Sequence, residues 1–161
     1  MTAIDVTQRQ ALAQRLDQFQ QLTADERLGL LWIVYRRMDP AVLRAAATAL
    51  LSQMVQGVFV QVQQLSRTDQ IEALRDIVAG EPTRISQAYA NLNANMRLAL
   101  WYRLAQAMAK GKISRPEITP HCSSISEALV DEISHKGFNE QIFFLRQVIN
   151  RIGQTTSQRV Q

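Results

Sequence analysis

The chain has 161 residues, of which 47% are hydrophobic and 20% are charged, with only six glycines and four prolines, and this composition is typical of one compact globular unit. Its formal charge of +4 is modest and spread along the chain, which argues against a nucleic-acid-binding surface. One cysteine and two histidines exclude an internal disulfide and the usual zinc or haem sites, and the lack of an apolar run of about 20 residues predicts a cytoplasmic protein that does not span a membrane.

Apolar residues recur at helical spacing along nearly the whole chain, and no alternating β pattern is sustained, so the sequence predicts an all-α fold. A first helix is expected near residues 6–21. The segment Thr23-Ala24-Asp25-Glu26 has the form of a capping box, which predicts a second helix that begins there and ends near Met38.

The middle of the chain predicts three more helices. The Asp39-Pro40 pair is typical of a helix start, and the apolar spacing that follows predicts one long third helix through Leu43, Leu50, Met54, Val55 and Val58. Ser66 is expected to cap a fourth helix that ends before Gly80. Pro82 is expected to open a short fifth one.

Asn93 is expected to cap a sixth helix over residues 94–110, before an irregular stretch at 112–123. Ser124, with Glu127 three residues later, predicts the start of a seventh helix. Asn139 predicts the start of an eighth, which ends at Gly153. We therefore predict eight helices in a single domain, residues 1–153, and a frayed polar tail at 154–161.

An imperfect internal repeat links the second and sixth predicted helices. The pattern from Leu22 to Trp32 recurs from Leu92 to Tyr102, with leucine, alanine and arginine at matching positions. Helical amphipathicity reuses such residues by chance, but the aromatic residues at the end of each copy favour two similar helical subdomains.

Enzyme signatures are missing from the sequence: we find no glycine-rich phosphate loop, no nucleophile elbow and no His-Glu-x-x-His motif. His121 and Cys122 are neighbours, but adjacent residues seldom form a catalytic pair, and no oxyanion donor accompanies them. We therefore expect a protein that is not an enzyme.

Large aromatic residues mark two helix faces. Leu28, Trp32 and Tyr35 share one face of the second predicted helix. The matching face of the sixth carries Leu98, Trp101, Tyr102, Ala105 and Met108. Such stripes most often form ordinary core, but two of them facing each other could also line an apolar slot, whose length would suit an elongated polyene.

Three segments carry a family resemblance. They are Leu22-Thr23-Ala24-Asp25-Glu26-Arg27-Leu28-Gly29-Leu30-Leu31-Trp32-Ile33-Val34-Tyr35, the stretch from Tyr89-Ala90-Asn91 through Trp101-Tyr102-Arg103-Leu104 to Met108, and Gln141-Ile142-x-x-Leu145-Arg146. In these segments the chain resembles the helical carotenoid proteins, which are cyanobacterial relatives of the N-terminal domain of the orange carotenoid protein.

The resemblance implies two discontinuous four-helix bundles with one ketocarotenoid between them, which would be canthaxanthin, echinenone or hydroxyechinenone. It also implies the carotenoid-binding residues, which are Leu28, Leu31, Trp32, Tyr35, Leu74, Leu98, Trp101, Tyr102, Ala105, Met108, Ile142 and Ile149. Arg146 matches an arginine that faces the second domain or the phycobilisome in full-length relatives.

The function implied by the resemblance is photoprotection by singlet-oxygen quenching, with quenching of phycobilisome excitation as a second role at the phycobilisome or thylakoid surface. Since no further domain follows Gln161, a light-driven switch between two domains is expected to be absent. Two alternatives stay open: a carrier that exchanges carotenoid with a homologue of the C-terminal domain, and a pigment-free helical adaptor.

Overall fold

The computed structural model describes residues 6–153, apart from the side chains of residues 6–9 and Leu12. The predicted polar tail at 154–161 lies outside this range. Within the described range the chain is entirely helices, turns and irregular segments, as predicted. The helices are α1 (Val6–Gln21), α2 (Ala24–Arg37), α3 (Pro40–Ala46), α4 (Gln53–Gln63), α5 (Arg67–Ala79), α6 (Arg84–Ala90), α7 (Ala94–Ala109), α8 (Pro120–Ser134) and α9 (Phe138–Asn150).

Local sequence signals account for most of the helix ends. At the start of α2 the capping box is complete: Thr23 Oγ1 accepts from the N–H of Glu26 at 3.1 Å, and Glu26 Oε1 accepts from the N–H of Thr23 at 2.9 Å. Asn93 caps α7 through a single bond, in which its Oδ1 accepts from the N–H of Met96 at 2.9 Å. Gly80 ends α5 with a φ of 74°, a conformation that favours glycine.

The prediction of one long third helix is wrong. Its residues form two helices, α3 and α4, because a turn follows Ala47 and Ser52 caps a new helix by accepting from the N–H of Val55 at 3.4 Å. The turn lets α3 pack against α9 while α4 packs against α5 and α6. It also leaves Leu51 99% exposed, and it makes nine helices in residues 6–153 where we predicted eight.

Two helix starts near the carboxyl end also differ from the prediction. Helix α8 is capped by Thr119, whose Oγ1 accepts from the N–H of Cys122 at 3.1 Å, and Ser124 lies inside the helix. Pro120 occupies the first turn, where no N–H is needed. Helix α9 starts after Gly137, whose N–H donates to Glu140 Oε1 at 2.9 Å, so Asn139 is not the cap.

The helices form two bundles, as predicted. Helices α1, α2, α8 and α9 come from the two ends of the chain and pack together, and the segment from α3 to α7 forms the second group. The groups meet along α2, which contacts α5 and α7, and along α9, which contacts α3 and α7. The two copies of the internal repeat therefore supply one helix to each group.

Helix α2 is the most enclosed element, since all its residues from Arg27 to Tyr35 are buried. Its partners are α8, α5 and α7. Gly29 permits the approach of α8, because a Cβ at that position would lie 3.0 Å from Cys122 Sγ and 3.0 Å from Ile118 Cδ1. Among the helices in the described range, none has the length and apolar character required to cross a membrane.

The start of α8 can be tested with two substitutions. Thr119→Ala removes the capping acceptor and should lower the free energy of unfolding by about 1 kcal/mol. Ser124→Ala, at an exposed position in the helix, should change it by less than about 0.5 kcal/mol. Urea denaturation of both variants measures the difference, and a larger loss in Ser124→Ala than in Thr119→Ala would contradict the observed start.

Candidate functional site

A surface cleft of about 450 Å³ opens between α2 and α7. We call it the aromatic cleft, and its lining residues are Trp32, Tyr35, Arg36, Leu43, Tyr102, Ala105, Gln106, Ala109 and Arg115. Four predicted carotenoid-binding residues meet here, namely Trp32, Tyr35, Tyr102 and Ala105. The cleft thus joins parts of the two aromatic helix faces that the sequence analysis identified.

Helical spacing explains why these side chains meet. Trp32 and Tyr35 are three residues apart on α2 and so point to the same side of the helix. On α7, the residues that face them are Tyr102 and the small Ala105 and Ala109. Because alanine side chains fill little volume, the space opposite the aromatic rings is left open.

Two arginines contact the Trp32 ring. The guanidinium carbon of Arg36 lies 5.4 Å from the ring centroid, and that of Arg115 lies 5.6 Å from it. Arg115 is held at the end of α7, where its Nε donates to the carbonyl of Met108 at 3.0 Å and its Nη2 donates to that of Ala109 at 3.4 Å. A cation at the carbonyl end of a helix is electrostatically favourable.

The sequence analysis missed both arginines. Arg36 could have been found, because it lies one helical turn after Trp32. Arg115 and Leu43 could not, since they reach the cleft from other segments of the chain, and no local pattern connects them to Trp32.

Tyr35 links α2 to α7 through its hydroxyl group, which donates to the carbonyl oxygen of Leu98 at 3.4 Å. The side chain is buried, and burial, together with the nearby Tyr89, raises the pKa of Tyr35 above its ordinary value. The neutral phenol is therefore the form that the site presents. On the other side of the cleft, Tyr102 Oη accepts from Gln106 Nε2 at 3.2 Å.

Trp101 belongs to the buried core and does not line the aromatic cleft. Its Nε1 donates to the hydroxyl of Tyr89 at 2.9 Å, and the two rings meet edge to face with centroids 6.2 Å apart. Burial raises the pKa of Tyr89, although this hydrogen bond and the guanidinium of Arg97 oppose the rise. Trp101 is therefore fixed by a polar partner inside the protein.

The other predicted residues occupy different positions. Leu31, Leu74, Leu98, Met108 and Ile149 are buried in the core, and Ile142 is partly buried against it. Arg146 lies on α9, and its Nη2 donates to Asn95 Oδ1 at 2.7 Å.

Leu28 lines a second cavity of about 280 Å³, next to Cys122 and Pro116. Leu28 and Trp32 are one turn apart on α2, and Arg115 lines both the second cavity and the aromatic cleft. The two spaces therefore follow one another along α2. Burial raises the pKa of the Cys122 thiol, which disfavours the thiolate that a nucleophilic cysteine needs.

The comparisons with known proteins agree on one family. Residues 5–155 match the family described as the N-terminal part of the orange carotenoid protein. An orange carotenoid-binding domain-containing protein from Nostoc sp. PCC 7120 is 31% identical over 143 residues, which cover 89% of this chain and 84% of that protein. The orange carotenoid-binding protein of Synechocystis is 27% identical, but the match spans only 43% of its length.

Solved structures also resemble the chain. The red carotenoid protein of Anabaena (Nostoc) sp. PCC 7120, solved with a mixture of carotenoids, has a TM-score of 0.69 at 27% identity, with 90% of this chain and 99% of that protein covered. The same protein with canthaxanthin has a TM-score of 0.68 at 25% identity, with 89% and 98% covered. The orange carotenoid protein from that organism gives 0.75 at 22% identity, with 94% and 48% covered, which supports the fold alone.

The pairing of Trp101 with Tyr89 predicts a stability difference between two tyrosine substitutions. Tyr89→Phe leaves the buried indole N–H of Trp101 without its acceptor and should lower the free energy of unfolding by about 1–3 kcal/mol. Tyr102→Phe removes only an exposed hydrogen bond with Gln106 and should cost less than about 0.5 kcal/mol. Equal midpoints of thermal unfolding for the two variants would show that the buried hydrogen bond is unimportant.

Proposed function

This chain belongs to the family of the orange carotenoid protein N-terminal domain, and we propose that it binds one ketocarotenoid and protects against photo-oxidation by quenching singlet oxygen. The observation that carries the proposal is the meeting of Trp32, Tyr35, Tyr102 and Ala105 at one cleft between the two helix bundles. The red carotenoid protein, solved once with a mixture of carotenoids and once with canthaxanthin, supports the choice of ligand.

The lining of the aromatic cleft suits one end of such a ligand. Aromatic rings and alanine side chains offer dispersion and stacking contacts to a cyclic hydrocarbon, and about 450 Å³ is enough for a terminal ring. A whole carotenoid is much longer than the cleft. We therefore propose that the remainder extends along α2 towards the Leu28 cavity, past Arg115.

A bound carotenoid supplies a long conjugated chain that accepts energy from singlet oxygen and releases it as heat. The residues of this chain have a physical role. Trp32, Tyr35 and Tyr102 orient the terminal ring by stacking, and the surrounding apolar core keeps water away from the ligand.

Production in a host that makes canthaxanthin tests the proposal directly. We expect a coloured protein that remains in aqueous solution and that shortens the lifetime of singlet-oxygen phosphorescence, whereas the colourless protein should shorten it much less. A folded product that stays colourless in that host would favour the pigment-free adaptor. Transfer of pigment to a homologue of the orange carotenoid protein's C-terminal domain would favour a carrier.

Filling the aromatic cleft should prevent loading. Ala105 is partly buried on the α7 side of the cleft, and Ala105→Trp would place a large ring in the open space without disturbing the core. We expect the canthaxanthin content per protein, measured by absorbance, to fall by about tenfold or more. The matched control is Ala105→Ser, which adds one small atom and should load normally. Normal loading of Ala105→Trp would mean that the pigment enters elsewhere.

We propose docking to the phycobilisome as a second role, through the surface around Arg146. Phe143, on the same helix, is 43% exposed, and an arginine beside an exposed aromatic residue is typical of a protein contact.

Arg146→Ala should leave the colour of the loaded protein unaltered and should weaken quenching of phycobilisome fluorescence by about tenfold. The control is Arg151→Ala, which changes the arginine directly after the end of α9. If the wild type and Arg146→Ala quench equally, Arg146 does not have this role.

A further inference from the structure

The lining of the aromatic cleft has two positively charged residues and no negatively charged one, whereas the acidic residues of the adjoining Leu28 cavity, Asp25, Glu26 and Glu117, line that cavity and not the cleft. Arg36 and Arg115 both line the cleft, and none of the nine residues assigned to its lining is an aspartate or a glutamate. Its remaining surface is mostly aromatic and aliphatic. A fully hydrocarbon ligand end would gain nothing from hydrogen-bond donors at this place, so the arginines point to a ligand end that carries an acceptor.

Arg115 is positioned to serve as such a donor. A guanidinium has five N–H groups, and Arg115 uses its Nε and one Nη2 position on the carbonyls of Met108 and Ala109. These bonds anchor the group at the end of α7, while its central carbon stays 5.6 Å from the Trp32 ring. Arg36 approaches the same ring from α2, at 5.4 Å. The donors of both residues that make no hydrogen bond within residues 6–153 therefore lie beside the stacking surface.

We propose that Arg115 and Arg36 are specificity-determining residues that select a carotenoid whose terminal ring carries a carbonyl oxygen. This inference rests on the proposed carotenoid binding. A carbonyl that enters an apolar cleft loses its hydrogen bonds to water, and a guanidinium N–H replaces them. An unsubstituted ring loses no hydrogen bonds on entry and leaves the arginine donors without this partner.

The test compares two carotenoids that differ in ring oxygen. Apo-protein is titrated with canthaxanthin, which has a keto group on each ring, and with β-carotene, which has none, both supplied from the same detergent micelles. We expect the wild type to bind canthaxanthin about tenfold more tightly, the factor given by one charge-assisted hydrogen bond that is partly exposed to water. In Arg115→Met and in Arg36→Met the dissociation constant for β-carotene divided by that for canthaxanthin should fall towards one.

The matched control is Arg103→Met, on α7. Arg103 also stacks on an aromatic ring, with its guanidinium carbon 4.2 Å from the centroid of Phe59, but it does not line the aromatic cleft. The ratio for Arg103→Met should equal that of the wild type. Arg36 lies on the exposed surface of α2, so its substitution should leave the fold intact even if loss of Arg115 disturbs the preceding loop.

The possible outcomes separate the two proposals. A wild type that binds neither carotenoid would overturn the proposed function itself. Binding of both with equal affinity, or an unchanged ratio in Arg36→Met and Arg115→Met, would overturn the selection by arginine and leave carotenoid binding in place.

Discussion

The burial of α2 is the constraint on which the rest of the structure depends. Its residues from Arg27 to Tyr35 are buried all around the helix, so other elements must cover every side. Helix α8 covers one side closely because Gly29 has no side chain, and α5 and α7 cover others. Opposite Trp32 and Tyr35 the covering is incomplete, since α7 presents Ala105 and Ala109 there. The aromatic cleft is the result.

The two tryptophans are covered by different kinds of neighbouring residue. Trp101 donates its N–H to Tyr89 and lies in a packed environment, where a change of partner would leave a buried polar group unsatisfied. Trp32 is covered partly by Arg36 and Arg115, which are long, hydrated side chains at the surface. Such exposed side chains can shift to admit a ligand ring at small cost. For this reason the cleft at Trp32 is the better candidate for a binding site.

Local signals in the sequence predicted much of the fold. The capping box at Thr23 and the cap at Asn93 are short-range hydrogen bonds, and such bonds leave a clear pattern of residue types. The break after α3, at Ala47, leaves no such pattern, because the apolar spacing continues through the turn. The break is required only by the separate packing of α3 and α4. The sequence also did not distinguish the true cap of α8, Thr119, from the capping pattern that begins at Ser124.

The candidate site, like the fold, could be predicted from the sequence in part. Trp32, Tyr35, Tyr102 and Ala105 follow helical spacing on two helices, and family resemblance pointed to the same positions. Arg115 was not predictable, because it reaches the cleft from an irregular segment.

The central claim, that the carotenoid ring occupies the aromatic cleft, is tested most directly by a crystal structure of the canthaxanthin-loaded protein. We predict electron density for a terminal ring between Trp32 and Tyr102, with the conjugated chain running along α2. Density in the groove between α1 and α8, near Phe19 and Leu129, with the cleft empty, would contradict the account.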